Sequence, residues 1–389
     1  MKIDWPKRGH AYVENDLKGL SELLTSDTGL TAGPQAQAFE VEFSGKFNLG
    51  KCYTMMSCAH ALDIVGKLLI NAPDAEVILP AHTYCASALG FARAGAKLKW
   101  ADIDPSHLTI TLSEVVRLTT AKTKAIVIVH LYGLICPEIE QIVEFSKQRN
   151  ITVIEDCAQC IGAQLNGKYA GSFGDFATFS FHAQKNLTTL GEGGMLAIAD
   201  EVFDERVRAL RLNGHLPFSN QDKYWLPAMT DVTNQSETSW PMKATITDAQ
   251  ALVGRNVLKR LDEMTSKRKK TAVMITERLS KFKEVSFQVN ISEMSHCNHL
   301  LPFKLNSKFI DRDAFMDRMF NELGVKCVIQ YYPLYRYDLF KAKGFGHGGL
   351  PVTDEFYDNM ISLPICHETT EVEVNYLVDA VAKILEKTS

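Results

Sequence analysis

No run of eighteen consecutive apolar residues occurs in this 389-residue chain, so no segment reads as a membrane-crossing helix. The opening MKIDWPKRGH lacks an apolar core and a small-residue cleavage site, so it does not read as a secretory leader. Neither sign of charge dominates. The formal net charge of −4 offers no electrostatic footprint for nucleic acid or an anionic membrane surface. Internal repeats and low-complexity tracts are missing, which excludes solenoid arrays and long disordered linkers. Gly-x-Ser-x-Gly and the Walker phosphate-loop sequence are missing too, and with them the usual sequence marks of nucleophile-elbow hydrolases and P-loop nucleotidases. Cysteine is present but scattered. Its nine copies are an odd number in a chain long enough to build its own core, and this fits a reduced, cytoplasmic setting better than a disulfide framework.

What is present describes a globular protein, with 46% apolar and 23% charged residues. The length exceeds one ordinary core, so two domains are expected. Residues 12–48 read as helical apart from a turn at Thr31–Gly33. From Lys51 onward short β-branched runs alternate with helix-length segments. The runs are Cys52–Met56, Ala75–Leu79, Leu98–Ile103, Lys124–His130 and Ile151–Glu155. Ala177–Phe181 and Met195–Ala199 add two more strands. Such alternation predicts an α/β fold, with a mostly parallel sheet covered on both faces. Thr245–Leu279 reads as one long helix bridging two domains. The stretch Asn213–Lys243, with Trp225 and Trp240, has little periodicity, and loops of that length are usually functional or mobile.

The chemistry concentrates around Lys185, in the run FSFHAQKNLTTLGEGG. Most lysines are solvated surface residues. This one lies between an apolar stretch and a Gly-Glu-Gly-Gly turn, where desolvation lowers an amine's proton affinity and glycines let backbone approach a ligand. Upstream, ITVIEDCAQC places Asp156 just past an apolar strand, with Gln159 three residues on. Ligands of open parallel sheets bind beyond the carboxyl ends of strands. A lysine amine and a carboxylate at two strand ends are what pyridoxal phosphate (PLP) chemistry requires. The amine forms a Schiff base with the aldehyde, and the carboxylate keeps the pyridine nitrogen protonated. A pyridinium within about 4 Å of Asp156 gains roughly 4 kcal/mol at an effective dielectric near 20. In MMSCAHALDIV a strand runs into a helix through Ser57, Cys58 and Ala59, small residues whose amides suit a phosphate. Ser180 offers a hydroxyl to the same group, and Tyr84, past another strand, offers a face for stacking.

Each of these has a plain structural alternative: a strand-end carboxylate, a capped turn, a tyrosine packed on the core. Other patterns weigh less. Cys157-x-x-Cys160 has redox or zinc spacing but no second ligand pair, and His296, Cys297 and His299 lack a fourth ligand, so no metal is expected. Gly344-Phe-Gly-His-Gly-Gly349 follows no convincing strand and runs into Pro351, so it reads as a loop.

Together the pieces closely resemble the DegT/DnrJ/EryC1/StrS sugar aminotransferases. The resemblance runs through GPQAQAFEVEFS, EVILPAHTYCAS, ADIDP, TKAIVIVHLYG, VIEDCAQCIGA and FSFHAQKNLTTLGEGG, then ITDAQALVG, YYPLY and ISLPI. It implies PLP fold type I, aspartate aminotransferase-like. A large domain (1–255) would hold a mixed, mostly parallel seven-stranded sheet, and a small C-terminal α+β domain would span 256–389. It implies a homodimer with shared active sites and PLP as cofactor. Lys185 matches the cofactor-binding lysine, Asp156 the partner of the pyridine nitrogen and Gln159 a neighbour of the ring hydroxyl. Tyr84 matches the stacking aromatic, and Ser180 a phosphate contact. The implied activity moves an amino group from L-glutamate to a keto-sugar, foremost a nucleotide-linked keto-deoxysugar. A cyclitol ketone or a small phosphorylated ketone is the alternative acceptor. An aromatising dehydratase and a non-catalytic PLP-binding regulatory protein are the rival activities.

The chain departs from the family's pattern at three places. Ser57-Cys58-Ala59-His60-Ala61-Leu62 stands where the family has Ser-Gly-Thr-x-Ala-Leu, which removes a threonine hydroxyl. Trp240-Pro-Met-Lys243-Ala-Thr245 stands where the family has Gly-x-Asn-Tyr-Arg, so Lys243 is the candidate for the neighbouring subunit's phosphate. Tyr335 replaces a histidine after Pro-Leu.

Overall fold

The computed structural model describes residues 1–9, 12–215, 239–306, 310–347 and 349–386. Trp225 and most of the Asn213–Lys243 stretch lie outside the described residues.

Two helices open the chain, α1 (Glu14–Leu24) and α2 (Pro34–Phe47). The break between them is longer than the sequence suggests. It begins at Thr25, where Thr25 and Ser26 turn their hydroxyls back onto the carbonyls of Ser21 and Leu23 and compete with the helix ladder. The alternating region then lays down β1 (Lys51–Met55), α3 (Cys58–Leu69), β2 (Glu76–Pro80), α4 (Ala86–Arg93) and β3 (Lys97–Ala101). It continues through α5 (Leu112–Leu118), β4 (Thr123–Val129), α6 (Ile139–Lys147) and β5 (Thr152–Asp156). A short hairpin, β6 (Gln164–Leu165) with β7 (Lys168–Tyr169), precedes β8 (Phe176–Ser180), β9 (Gly194–Ile198) and α7 (Asp204–Arg211).

Seven of these strands form one sheet in the order β1-β9-β8-β5-β4-β2-β3. Only β9 runs against the rest, pairing antiparallel with β1 and β8, while the other neighbours pair parallel. Strands β8 and β9 are buried at every position, as expected of a sheet covered on both faces. The observed strands fall within one or two residues of the expected runs. The resulting topology sends the carboxyl ends of β2, β4, β5 and β8 to one edge, where the candidate residues gather.

The elements beneath that edge are fixed by packing. Phe39, Phe43 and Phe47 recur every four residues on α2, so one helical face carries all three rings. Phe43 meets Phe179 at 4.9 Å between centroids, and Phe39 meets Phe181 at 5.3 Å, which anchors the end of β8. The amino end of α2 is capped from far away: Asp248 accepts from Gly33, Gln35 and Ala36 N–H at 2.8, 2.7 and 3.1 Å. Asp248 opens the 32-residue α8 (Asp248–Leu279), whose own cap is Thr247 with Gln250.

Past α8, β10 (Val285–Phe287), β12 (Leu301–Leu305) and β13 (Met360–Leu363) make a three-stranded antiparallel sheet. The two-residue β11 (Met294–Ser295) instead joins the β6–β7 hairpin. Among the described residues the α-helices that follow are α9 (Arg312–Asp317), α10 (Asp338–Ala342), α11 (Pro351–Asn359) and α12 (Glu371–Leu385). A separate apolar cluster of α12, β12, β13 and the last turns of α8 supports this end of the molecule.

Candidate active site

Asp156 ends β5 almost fully buried. Its Oδ2 accepts from the Ser87 hydroxyl at 2.6 Å, and its Oδ1 accepts from Ala158 N–H at 3.1 Å. The Cys58 sulfur lies 3.9 Å from Oδ1. Among the described residues no arginine or lysine forms an ion pair with this carboxylate, which leaves it able to accept a further charged donor.

Lys185 sits in the loop between β8 and β9. The loop closes on itself: Phe181 N–H donates to the Gly193 carbonyl, Ala183 N–H to Gly191, and Thr189 N–H to Phe181. Leu190 and Gly191 both adopt positive φ, and glycine meets that demand at no steric cost in the second position. Burial pulls the Lys185 amine below the ordinary lysine range. Asp156 and Cys58 both lie near enough to push the other way, and burial prevails. Lys185, Asp156 and Cys58 are thus electrostatic neighbours.

Cys58 is the first residue of α3, with Ser57 as cap. The Ser57 hydroxyl accepts from His60 N–H at 3.3 Å and lies 2.9 Å from His60 Nδ1. Gly194 opens β9 against this turn. A Cβ there would stand 2.5 Å from the Ser57 carbonyl carbon and 2.6 Å from Cys58 N. Ser180, at the end of β8, is paired with Gly194 and buried. The open amides of Ser57, Cys58 and Ala59 and the Ser180 hydroxyl therefore share one side of the site.

Gln159 is held at both ends, its Oε1 accepting from Tyr132 N–H at 2.8 Å and its Nε2 donating to the Tyr331 hydroxyl at 2.7 Å. Tyr331 meets Tyr84 edge-on at 5.8 Å. Tyr84 is 59% exposed, so its face is not spent on the core. Lys243 stands apart. Its backbone pairs with Leu212 beside Ala244, whose carbonyl accepts from Met56 N–H, but its side chain is exposed and forms no ion pair among the described residues.

Ser87, Thr83 and Tyr331 belong to this neighbourhood but escaped the sequence reading. Ser87 lies three residues after Tyr84, in the first turn of α4, a spacing that offered a signal. Tyr331 arrives from the far end of the chain, where the segment YYPLY marked the position but no role for this side chain. Tyr335, the replacement for histidine, is buried, and its hydroxyl bonds Asp354, which Arg336 also binds.

The metal-like patterns are accounted for by hydrogen bonds. His130, Glu155 and Cys157 cluster, but Glu155 already accepts from His130, Gly171, Phe173 and Gly174. His130 Nδ1 is taken by Cys136 N–H. His296 binds Gln288, Cys297 the Gln159 carbonyl and His299 the Asn186 side chain, so these three point to different partners.

The donor set fits PLP. A proton-poor amine suits the aldehyde, an ion-pair-free buried carboxylate suits a protonated ring nitrogen, and the amide-lined start of a twelve-residue helix suits the phosphate.

The profile of the DegT/DnrJ/EryC1/StrS aminotransferase family matches residues 11–382. A pleiotropic regulatory protein of Geobacillus stearothermophilus is 32% identical over 84% of each chain. The UDP-N-acetyl-3-dehydro-alpha-D-glucosamine 3-aminotransferase of Acidithiobacillus ferrooxidans is 29% identical over 95% of this chain and 93% of its own. Among solved structures, the aminotransferase TlmJ of Streptoalloteichus hindustanus superposes with a TM-score of 0.89 at 25% identity, covering 99% of this chain and all of its own.

Proposed function

The chain belongs to the DegT/DnrJ/EryC1/StrS aminotransferase family, and from that premise we propose that it moves an amino group from L-glutamate to a nucleotide-linked keto-sugar. It is a PLP-dependent transaminase of aspartate aminotransferase-like fold type I, within a family of sugar aminotransferases. Among the described residues no helix is long and apolar enough to cross a membrane.

The observation that supports the reading is that a buried lysine amine, Lys185, has the buried carboxylate of Asp156 as an electrostatic neighbour, with the Cys58 sulfur 3.9 Å from that carboxylate. When bound, PLP supplies the electron sink that stores and returns the amino group. Every other part of the work falls to side chains of this chain. Nζ of Lys185 is assigned the covalent hold on the cofactor. Once released, the same nitrogen moves the proton off and onto the reacting carbon. Burial keeps it neutral at lower pH than an ordinary lysine, and a base must be neutral to accept. Asp156 holds the proton at the ring nitrogen. The Ser57, Cys58 and Ala59 amides and the Ser180 hydroxyl bind the phosphate, Tyr84 covers the ring, and Gln159 orients its polar edge.

Lys243 is assigned to the neighbouring subunit's phosphate in a homodimer with shared sites. Its exposed ammonium suits a contact outside its own protomer. The division into a large domain, 1–255, and a small one, 256–389, belongs to the same reading. The nucleotide-linked acceptor is favoured because the Acidithiobacillus relative is named for such a sugar.

The test has two arms. Mixing the enzyme with glutamate is expected to release 2-oxoglutarate and bleach the visible colour. A panel of keto substrates then shows which one restores it. Restoration by cyclitol or small phosphorylated ketones but by no nucleotide sugar would overturn the acceptor. A Lys185→Ala protein that keeps colour and turnover would overturn the lysine.

A further inference from the structure

The lysine loop has a rear wall built from distant sequence. Gly9 N–H donates to the Ala183 carbonyl at 2.6 Å, and the Gln184 side-chain amide donates to the Pro6 carbonyl at 3.1 Å. Gly9 stands so close to Lys185 that a Cβ at position 9 would come within 1.9 Å of the Lys185 carbonyl oxygen. Only glycine permits that approach. Asn186, next in line, donates to the Cys297 carbonyl at 3.1 Å and bonds the His299 ring at 3.2 Å. Ala183, Gln184 and Asn186 are therefore bonded from behind, and the Lys185 backbone lies against Gly9.

One buried cation ties this wall together. Arg268 of α8 is 2% exposed and has no ion-pair partner among the described residues. It donates to the Gly9 carbonyl and to the His299 carbonyl, both at 3.3 Å, while its Nε finds no partner. His367 Nδ1 reaches the same Gly9 carbonyl at 3.0 Å. A buried guanidinium without a counter-ion is costly, and here it serves to join two segments that both back the loop.

We propose that residues 5–9, pinned by Arg268, form a backstop that sets the position of Lys185, with Gly9 as its positioning residue. The inference rests on Lys185 being the cofactor lysine. The amine rides on a four-carbon stem of fixed length, so its reach is limited by where the loop backbone stands. A misplacement on the order of 1 Å at such a group costs up to about 10²-fold in rate.

The test compares Gly9→Ala with Gly50→Ala in the full chain. At Gly50 a Cβ would come 2.1 Å from the Ile198 carbonyl, where β1 meets β9, away from the lysine loop. For Gly9→Ala, kcat is expected to fall about 10-fold to 10²-fold with the donor KM nearly unchanged. The pH midpoint of the cofactor's visible band is expected to move. Amide hydrogen exchange at residues 183–187 of the cofactor-free protein is expected to rise about 10-fold or more, without a rise in β8. Gly50→Ala is expected to lose thermal stability and keep all three readouts. Wild-type values in Gly9→Ala, or the same changes in Gly50→Ala, would overturn the backstop. Should Gly9→Ala fail to fold, Gln184→Ala carries the test: a smaller change in the same direction supports the proposal, and wild-type behaviour sinks it. Lys185→Ala keeps the two readings apart. If it retains the visible band, the lysine assignment fails. If it loses the band while Gly9→Ala behaves as wild type, only the backstop fails.

Discussion

The Ser87 hydroxyl stands 2.6 Å from Oδ2 of Asp156 and 2.9 Å from the Thr83 hydroxyl, so a short relay orients the carboxylate proposed to meet the cofactor's ring nitrogen. A hydrogen bond to a charged group is worth about 1.5–3 kcal/mol. Ser87→Ala is therefore expected to lower kcat by roughly 10-fold or more and to weaken cofactor binding, while Ser87→Thr restores both. Steady-state kinetics with a PLP titration check this. Unchanged affinity and rate in Ser87→Ala would show that Ala158 alone orients Asp156.

Gly194 makes a comparable demand on space. A Cβ added there meets the Ser57 carbonyl carbon and the Cys58 nitrogen, backbone atoms that cannot swing aside as a side chain can. Gly194→Ala is expected to push the start of α3 away and weaken PLP by about 10²-fold, a loss of about 2.7 kcal/mol. Equilibrium titration of the apo-protein measures it. Gly45, whose added Cβ would meet nothing within 4 Å, is the matched control.

These relationships also show what the sequence could reveal. Lys185, Asp156 and Gln159 stood out in the sequence because each has a chemical type and lies at or just past the end of a strand that its apolar run already announced. The alternation of strands and helices carried the fold for the same reason, since a sheet buried on both faces writes itself as continuous apolar runs. Arg268, Gly9 and Tyr331 were not legible. Their roles come from contacts spanning more than a hundred residues, such as Arg268 with Gly9 or Tyr331 with Gln159, and no local period encodes those. Tyr335 marks a subtler limit. The substitution for histidine was visible, but only the structure shows the ring buried and its hydroxyl tied to Asp354.

The lowered proton affinity of Lys185 has a consequence for stability. In the cofactor-free protein the folded state releases this proton at lower pH than the unfolded chain, whose lysine titrates near 10.5. Between those two points the unfolded state binds more protons, so stability rises with pH. Lys185→Met removes the contribution. Its stability advantage over wild type is expected to be greatest below the folded-state value and to shrink as pH climbs toward 10.5. Urea midpoints for both apo-proteins across the alkaline range test the sign. An advantage that grows with pH would mean that the amine is not held neutral by burial.

On the acid side, His296 gives the sharper measurement. Burial, with the Lys269 cation as a lesser cause, pulls its pKa down to about 4 from the ordinary 6.5. Its ring is held neutral by two contacts: Nδ1 accepts from Asn298 N–H at 2.8 Å, and Nε2 faces the Gln288 amide oxygen at 3.2 Å. The folded pKa is depressed, so the unfolded chain gains its proton first as pH falls. The stability contributed by the neutral ring is complete above about pH 6.5 and is lost progressively as pH drops toward 4. At pH 5 the loss from this one residue comes to about 2 kcal/mol. His82 and His299, buried and shifted the same way, add to the acid sensitivity, so the total cannot be assigned to one ring without a variant. His296→Gln keeps an acceptor and a donor at the position but cannot titrate. The stability difference between wild type and His296→Gln, followed by urea unfolding, is expected to shift toward the variant between pH 7 and pH 5 by that amount. A difference that stays flat over this range would show that the folded ring titrates as it does in the unfolded chain, its pKa not depressed by burial.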